Sequence, residues 1–375
     1  MKKPIKVYLQ YPWKFPDSPY YKYLVENPPE RIEYLNAEKQ KGVIINKRFF
    51  WFSNFLKRNI RRFVNLFELS LPNAHLTRIK QDYDLIHCAH CLSLNKDKPW
   101  IADFESEWQL YLGKRTKRGV EKVRRILLDR NCKKIMPWTQ TTANEIIEEF
   151  PEIKDKVEVV CPAIPVNKRI SKKNKNDKIT ILYATRYFWF KGGVIALEVY
   201  RKLKQKYDNK IELIFISDVP ENIKRKYPEL KIRNLVPQKE LFGLYSKSDI
   251  FFYPSFVDTF GFGQLEAMGF GLPIVTVNTK YTKTKKEIIE DNKNGLVFDV
   301  EDIITKRLID EKGKLVIREE KKIIDELFEN CCNLINNKKL RQKMSKNCIK
   351  EIKNGKFSIE RRNRQLKKIY EEALK

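Results

Sequence analysis

Two carboxylates, Asp258 and Glu266, stand on either side of a glycine-bearing turn in PSFVDTFGFGQLEAMGFG, residues 254–271. A carboxylate accepts hydrogen bonds at several lone-pair sites, so each can hold two hydroxyls of a sugar. Gly261 and Gly263 let a ligand approach the main chain. The helix expected to begin at Gln264 presents unsatisfied N–H groups to an anion. A diphosphate fits there, with ribose on one acid and a transferred hexose on the other. Taken alone, the same acids also read as surface residues flanking a helix cap.

Upstream, Arg186 and Lys191 flank the loop of TRYFWFKGG, which ends in Gly192 and Gly193 where another helix is expected to start. Two cations and a helix dipole converging on one point would clamp phosphate. In a chain with 76 lysines and arginines, either residue alone reads as an ordinary surface charge.

The elements that would position these groups follow from the apolar pattern. Asp249–Tyr253 (DIFFY) is a short run ended by a proline, which suits a strand buried on both faces. Gln264–Met268 has the composition of a helix start and stops at Gly269 or Gly271. Pro273–Val277 is a β-branched strand. Such a strand–loop–helix–strand unit implies a parallel sheet, whose ligands lie beyond the carboxyl ends of its strands. Asp258 would sit there, with Glu266 in the first turn of the helix. Thr180–Arg186 is another apolar strand. It leads to a helix over Val194–Tyr207, on which Ala196, Leu197, Tyr200, Leu203 and Tyr207 recur at helical spacing.

With these motifs in place, residues 179–299 resemble the donor-binding domain of the retaining glycosyltransferases of family 4, group 1 glycosyltransferases of GT-B architecture. TR…FKGG stands where that family has Gly-Arg and then Lys-Gly, and KELFGLYSKSDIFFYPS matches a helix followed by a strand ending in Pro-Ser. DTFGFGQLEAMGFGLPIVT matches an acid, seven residues and a Glu, and KKEIIEDNKNGLVF a Glu-Ile-Val and Asn-Gly segment. Several motifs in order are far more specific than one.

The resemblance implies an α/β fold of two Rossmann-like, doubly wound domains with a cleft between them. It implies a metal-independent enzyme that moves a sugar from a nucleoside-diphosphate sugar to an acceptor with retention of configuration. Arg186 and Lys191 would hold the donor diphosphate, Glu266 the ribose and Asp258 the hydroxyls of the transferred sugar. The amides around Phe260, Gly261, Phe262 and Gly263 would meet sugar and phosphates. Neither metal nor another cofactor is expected, since the two cations neutralise the leaving diphosphate. The alternatives are a sugar-nucleotide epimerase or phosphorylase of the same fold, and a non-catalytic basic surface-binding protein on a transferase scaffold. The chain departs from the family at Asp258, one methylene shorter than the usual Glu, and at Thr185, where the family has Gly. It departs again at YPWKFPDSPYYKYL, which replaces a Gly-Gly loop after the first strand.

The first half offers strand candidates at Ile5–Gln10, Asp84–Cys88, Trp100–Asp103, Lys134–Pro137 and Val157–Val160, alternating with helical stretches. Asp103 and Glu105 end one of these runs. They are candidates for an acceptor-side acid or base, against the plainer reading of an exposed acidic loop. Trp108 beside them could stack on a sugar or simply pack. His87, Cys88, His90 and Cys91 crowd four ligand-type side chains together. Successive side chains of a strand point to opposite faces, which argues against a zinc site. The end of a buried strand, with His87 or His90 facing the acceptor, is the expectation.

At 375 residues the chain exceeds what one core supports, and 42% apolar content suffices for two. The domains are expected at 1–165 and 179–350, joined by a linker at 166–178 within the proline-bearing, then basic tract CPAIPVNKRISKKNKNDK. By the resemblance, a helical segment at 351–375 returns to the N-terminal domain. No apolar run approaches the ~18 residues of a membrane span. The seven cysteines, odd in number, do not read as a disulfide framework, so a cytoplasmic protein is expected. A net charge of +28 comes without a nucleic-acid-binding signature, so no nucleic acid is expected. A membrane surface suits it better. Lys47–Phe67, KRFFWFSNFLKRNIRRFVNLF, interleaves aromatic residues with cations and no acid, as at the interface of an anionic bilayer, and implies a lipid-linked acceptor. Lys114–Arg125 adds a second basic tract, and a domain helix with a solvated basic face explains the first equally.

Overall fold

A computed structural model of the chain describes residues 3–11, 19–37, 70–166, 178–301 and 321–375, with the single residues 52, 55, 56 and 59. Two compact units emerge, Met1–Ala163 with Lys356–Lys375, and Ile164–Gly355. The boundaries lie a few residues from the expected 165 and 351. Residues 351–355 stay with the second unit, whose last helix runs on to Lys353. Most of the expected linker and of the basic aromatic segment Lys47–Phe67 lies outside the described residues.

Unit 1 is built on parallel strands β1 (Ile5–Gln10), β2 (Ile32–Leu35), β3 (Leu85–Ala89), β4 (Trp100–Phe104) and β5 (Cys132–Pro137), in the order β2-β1-β3-β4-β5. Every position of β3 and β4 is buried, which is why LIHCA and WIADF show no polar alternation. Helices α1 (Pro19–Glu26), α2 (Lys117–Leu127) and α3 (Gln140–Glu149) accompany them. The expected strand at Val157–Val160 is reduced to an isolated bridge from Val157 to Ile135. The amides of Glu158 and Val160 bond to the carbonyls of Ile135 and Pro137. The next donor in that alternation would come from Pro162, which has none, so the ladder stops.

The helix Ile359–Ala373 also belongs to unit 1. Leu366, Ile369, Tyr370 and Ala373 form its buried stripe at helical spacing. Burying a Leu or Ile side chain stabilises by roughly 1.5–3 kcal/mol. Polar contacts fix its register: Arg362 donates to the Asn27 carbonyl at 2.6 Å, and the Asn363 amide to Asn27 and Pro28 at 3.1 and 3.2 Å.

Unit 2 has strands β6 (Ile179–Ala184), β7 (Ile211–Ile216), β8 (Ile232–Arg233), β9 (Ile250–Tyr253), β10 (Ile274–Asn278) and β11 (Gly295–Asp299). All are parallel, in the order β8-β7-β6-β9-β10-β11. Its helices include α4 (Gly193–Tyr207), α5 (Gln238–Lys247), α6 (Phe262–Gly269), α7 (Lys285–Ile288), α8 (Lys321–Asn336) and α9 (Lys338–Lys353). Ile195, Val199 and Leu203 of α4 share one core with Tyr183, Phe215 and Phe252 of the sheet and Leu327 of α8. The order reverses between β6 and β9, and such a switch point opens a crevice beyond the carboxyl ends of the two adjacent strands. Among the described residues no helix is long and apolar enough to cross a membrane. All seven cysteines are free.

Candidate functional site

The two motif loops leave the strands on either side of this switch point. Arg186 lies two residues beyond β6 and is half-buried. Lys191 follows at the end of the same loop. Its ammonium lies 2.9 Å from Asp258 Oδ1, with side chains only 13% and 10% exposed, and donates to the Val257 carbonyl at 2.9 Å. The Tyr253 hydroxyl donates to Asp258 Oδ2 at 2.8 Å. Burial first, and then the Asp258 carboxylate, push the Tyr253 phenol well above its ordinary range, so it remains a donor. Sequence reasoning treated Lys191 and Asp258 as parts of separate motifs; the structure joins them in one ion pair.

Two glycines permit the approach. Gly192 has φ +67°, and a Cβ there would lie 2.1 Å from the Pro254 carbonyl oxygen. Any other residue would push the loops apart, where the Phe256 and Val257 amides now donate to Phe190 at 3.3 and 3.4 Å. Gly261, at φ +95°, caps α6, and a Cβ there would stand 3.0 Å from Asp258 Oδ2. The left-handed glycine starts the helix at Phe262, two residues before the expected Gln264. Glu266 therefore falls in the second turn, correcting the expectation of the first. The amides of Phe262 and Gly263 lie in the first turn of α6, at the positive end of the helix dipole. Phe260 is buried and packs on Phe262 with ring centres 5.1 Å apart.

Glu266 is buried and accepts from Gln238 Nε2, at the start of α5, at 3.4 Å. Gln264 is fully buried, and neither its side-chain oxygen nor its nitrogen has a protein partner among the described residues. A buried amide is costly unless hydrogen-bonded, so its capacity suits a ligand hydroxyl. Neither Gln238 nor Gln264 was singled out from the sequence.

Lys285 was also missed. Its ammonium is buried and donates to the Ser255 carbonyl at 2.7 Å. Burial lowers it from 10.5 to about 7, against the raising field of Asp258 and with the lowering field of Lys191. Thr284 Oγ1 to the Thr259 carbonyl at 2.6 Å, and Thr279 Oγ1 to that of Phe256 at 2.8 Å, clamp its loop onto the Asp258 loop. In the run KYTKTKK nothing marks one lysine as the buried one.

On unit 1 the expectation for Asp103 is corrected. It lies inside β4, 1% exposed, and accepts from the Tyr21 hydroxyl and from His87 Nε2 at 2.8 Å. His87 is fully buried, and its Nδ1 accepts from the Tyr370 hydroxyl at 2.8 Å, which meets Tyr34 at 2.9 Å. Asp103 is thus not an exposed loop acid; it is the centre of a buried network. His90 sits at φ +55° with Nδ1 3.6 Å from Asp103, and burial lowers its pKa. Glu105 is half-buried and Trp108 is exposed. Cys91 is turned to the Gln10 carbonyl, and no group of three His, Cys, Asp or Glu placed to hold a metal ion occurs among the described residues.

Residues 166–351 match the family described as glycosyl transferases group 1. An uncharacterized glycosyltransferase of Haemophilus influenzae is 28% identical over 179 residues, 46% of this chain and 49% of that protein. The chain spans about half the length of the curated relatives it matches. Among solved structures, a glycosyltransferase from Rickettsia africae superposes with a TM-score of 0.63 at 16% identity, covering 100% of both chains. Anabaena HepE, solved in complex with UDP and glucose, gives 0.57 at 14% identity, covering 97% of this chain and 98% of its own. Residues 166–351 thus match a group 1 glycosyl transferase domain, and the chain has the GT-B fold.

Proposed function

We propose that the protein is a retaining glycosyltransferase that moves a hexose-type sugar from a nucleoside diphosphate, held by unit 2, to an acceptor hydroxyl without a metal. The Lys191–Asp258 pair carries this reading, because it brings a phosphate-type cation and a sugar-type acid together at the switch point. The diphosphate lies on the amides at the start of α6, with Arg186 and Lys191 beside it. Lys191 spends two of its three N–H donors on Asp258 and Val257 and keeps one for phosphate. Asp258 and Gln264 take hydroxyls of the sugar, and Glu266 takes those of the ribose.

In the transfer, the bond from the anomeric carbon to the diphosphate oxygen breaks and one to the acceptor oxygen forms. The acceptor proton leaves with the phosphate, and the two cations stabilise the charge that develops on the leaving group. The acceptor we assign is a lipid-linked glycan, on the strength of the basic aromatic sequence Lys47–Phe67.

A thermal-shift screen of nucleoside diphosphates and their sugars, in chelator, tests the donor assignment. Stabilisation by one base series is expected; none by any would overturn the reading. The anomeric configuration of the product, read by NMR, tests retention. Flotation with anionic vesicles at low salt tests membrane docking, which fails if no protein is captured.

A further inference from the structure

We propose that Lys285 is a further residue of the donor site, a buried amine that shares the Asp258 field with Lys191 and takes up a proton when a diphosphate binds. The inference rests on the donor-site reading above. Lys285 is 1% exposed and comes from α7, an element that reading does not otherwise use. Its nitrogen lies 5.8 Å from the centre of the Tyr253 ring, and that of Lys191 lies 5.7 Å from the same centre. The two amines thus border one side chain, which itself donates to Asp258.

The surroundings leave the proton of Lys285 finely balanced. An ammonium has three donors, and here one goes to Ser255. The titratable groups facing it from other elements are few. Asp258, on the loop after β9, favours the charged form, and Lys191, on the loop before α4, opposes it. The Tyr253 phenol on β9 stays neutral. On its own helix, Lys286 is exposed and paired with Asp299 at 2.8 Å, and Glu287 is half-buried. Burial draws the amine down to about 7. A diphosphate on Lys191 adds negative charge beside this amine and raises its proton affinity. Binding and protonation are then linked, and above neutral pH each favours the other. Lys285 acts as a positioning residue, setting the charge around Asp258 rather than touching the reacting atoms.

The test is calorimetry on the full chain with UDP, ADP, GDP and inorganic pyrophosphate, the last being independent of base recognition. Titrations run between pH 8 and 9 in two buffers of different ionisation enthalpy; the nucleoside diphosphates are fully ionised there, and pyrophosphate, which still holds part of its last proton, reports affinity alone. Wild type should take up roughly half a proton or more per diphosphate and lose affinity as pH rises, by up to roughly tenfold per pH unit. Lys285→Met should show neither effect, and Lys285→Arg, always charged, should bind with no proton uptake. Lys285→Gln, which keeps a hydrogen-bond donor, serves if the Met variant does not fold. Equal uptake in wild type and Lys285→Met, or binding to wild type with no uptake, overturns the role of Lys285 and leaves the donor site standing. Failure of wild type to bind any of the four probes overturns the donor site, and the role of Lys285 with it.

Discussion

Asp103 and Asp258 are the same residue type in parallel α/β sheets of one chain, each with a tyrosine hydroxyl on its carboxylate, yet they are built for opposite ends. Asp103 lies inside its strand, enclosed by a phenol and two imidazoles from β3, the following turn and α1. Asp258 lies beyond its strand, between glycines in the left-handed region, with an ammonium as partner and the open amide of Gln264 beside it. Each carboxylate has one strong partner on each oxygen, but the first is sealed at 1% exposure while the second keeps 10% and lies beside an amide with no protein partner among the described residues. Unspent hydrogen-bonding capacity around the acid is what marks the binding site.

The comparison can be broken most directly at Lys191. Lys191→Ala should lower turnover about a thousandfold, read as release of nucleoside diphosphate, well beyond the moderate loss of melting temperature that comes from leaving Asp258 without its cation. If turnover stays within tenfold of wild type, the pair is structural and the contrast collapses. Asp103→Ala should do the reverse, costing about 3 kcal/mol in denaturant unfolding because His87 and Tyr21 lose their buried partner, while nucleoside diphosphate binding to unit 2 persists.

A smaller effect comes from pH. Folded Lys285 titrates near 7 against an ordinary 10.5, so stability is greatest above 10.5 and falls as pH drops toward 7, where the folded chain must bury a charge. Relative to wild type, Lys285→Met should therefore gain a few degrees of melting temperature as pH falls from 10 to 7, checked by parallel scans. Tyr370→Phe should cost least, about 1 kcal/mol, because it removes the hydroxyl that joins His87 and Tyr34 and nothing else.

What was legible in the sequence is what local pattern controls. DIFFY, the glycines and the helix starts identify β9, α6 and α4 because strand burial and backbone freedom depend on neighbours in the chain. Asp258, Glu266, Arg186 and Lys191 were found by that route. The pairing of Lys191 with Asp258 was not, since it depends on how two loops 67 residues apart are brought together by strand order. Lys285 was hidden for a related reason: burial of one lysine in a lysine-rich run is decided by Ser255, Asp258 and Tyr253. Asp103 was misread because its exposure is set by Tyr21, 82 residues away, and by His87. The edge strand β2 went unnoticed because IEYL is too short to establish a period.

Unit 1 is discontinuous, and the bond between His87 and Tyr370 spans 283 residues. On the ribosome this sets an order of events. The sheet of unit 1 emerges early, but the helix that covers His87 is made only after all of unit 2. Unit 2, being continuous, can complete its core while unit 1 waits with an apolar face uncovered, an interval in which early termination would leave an aggregation-prone fragment.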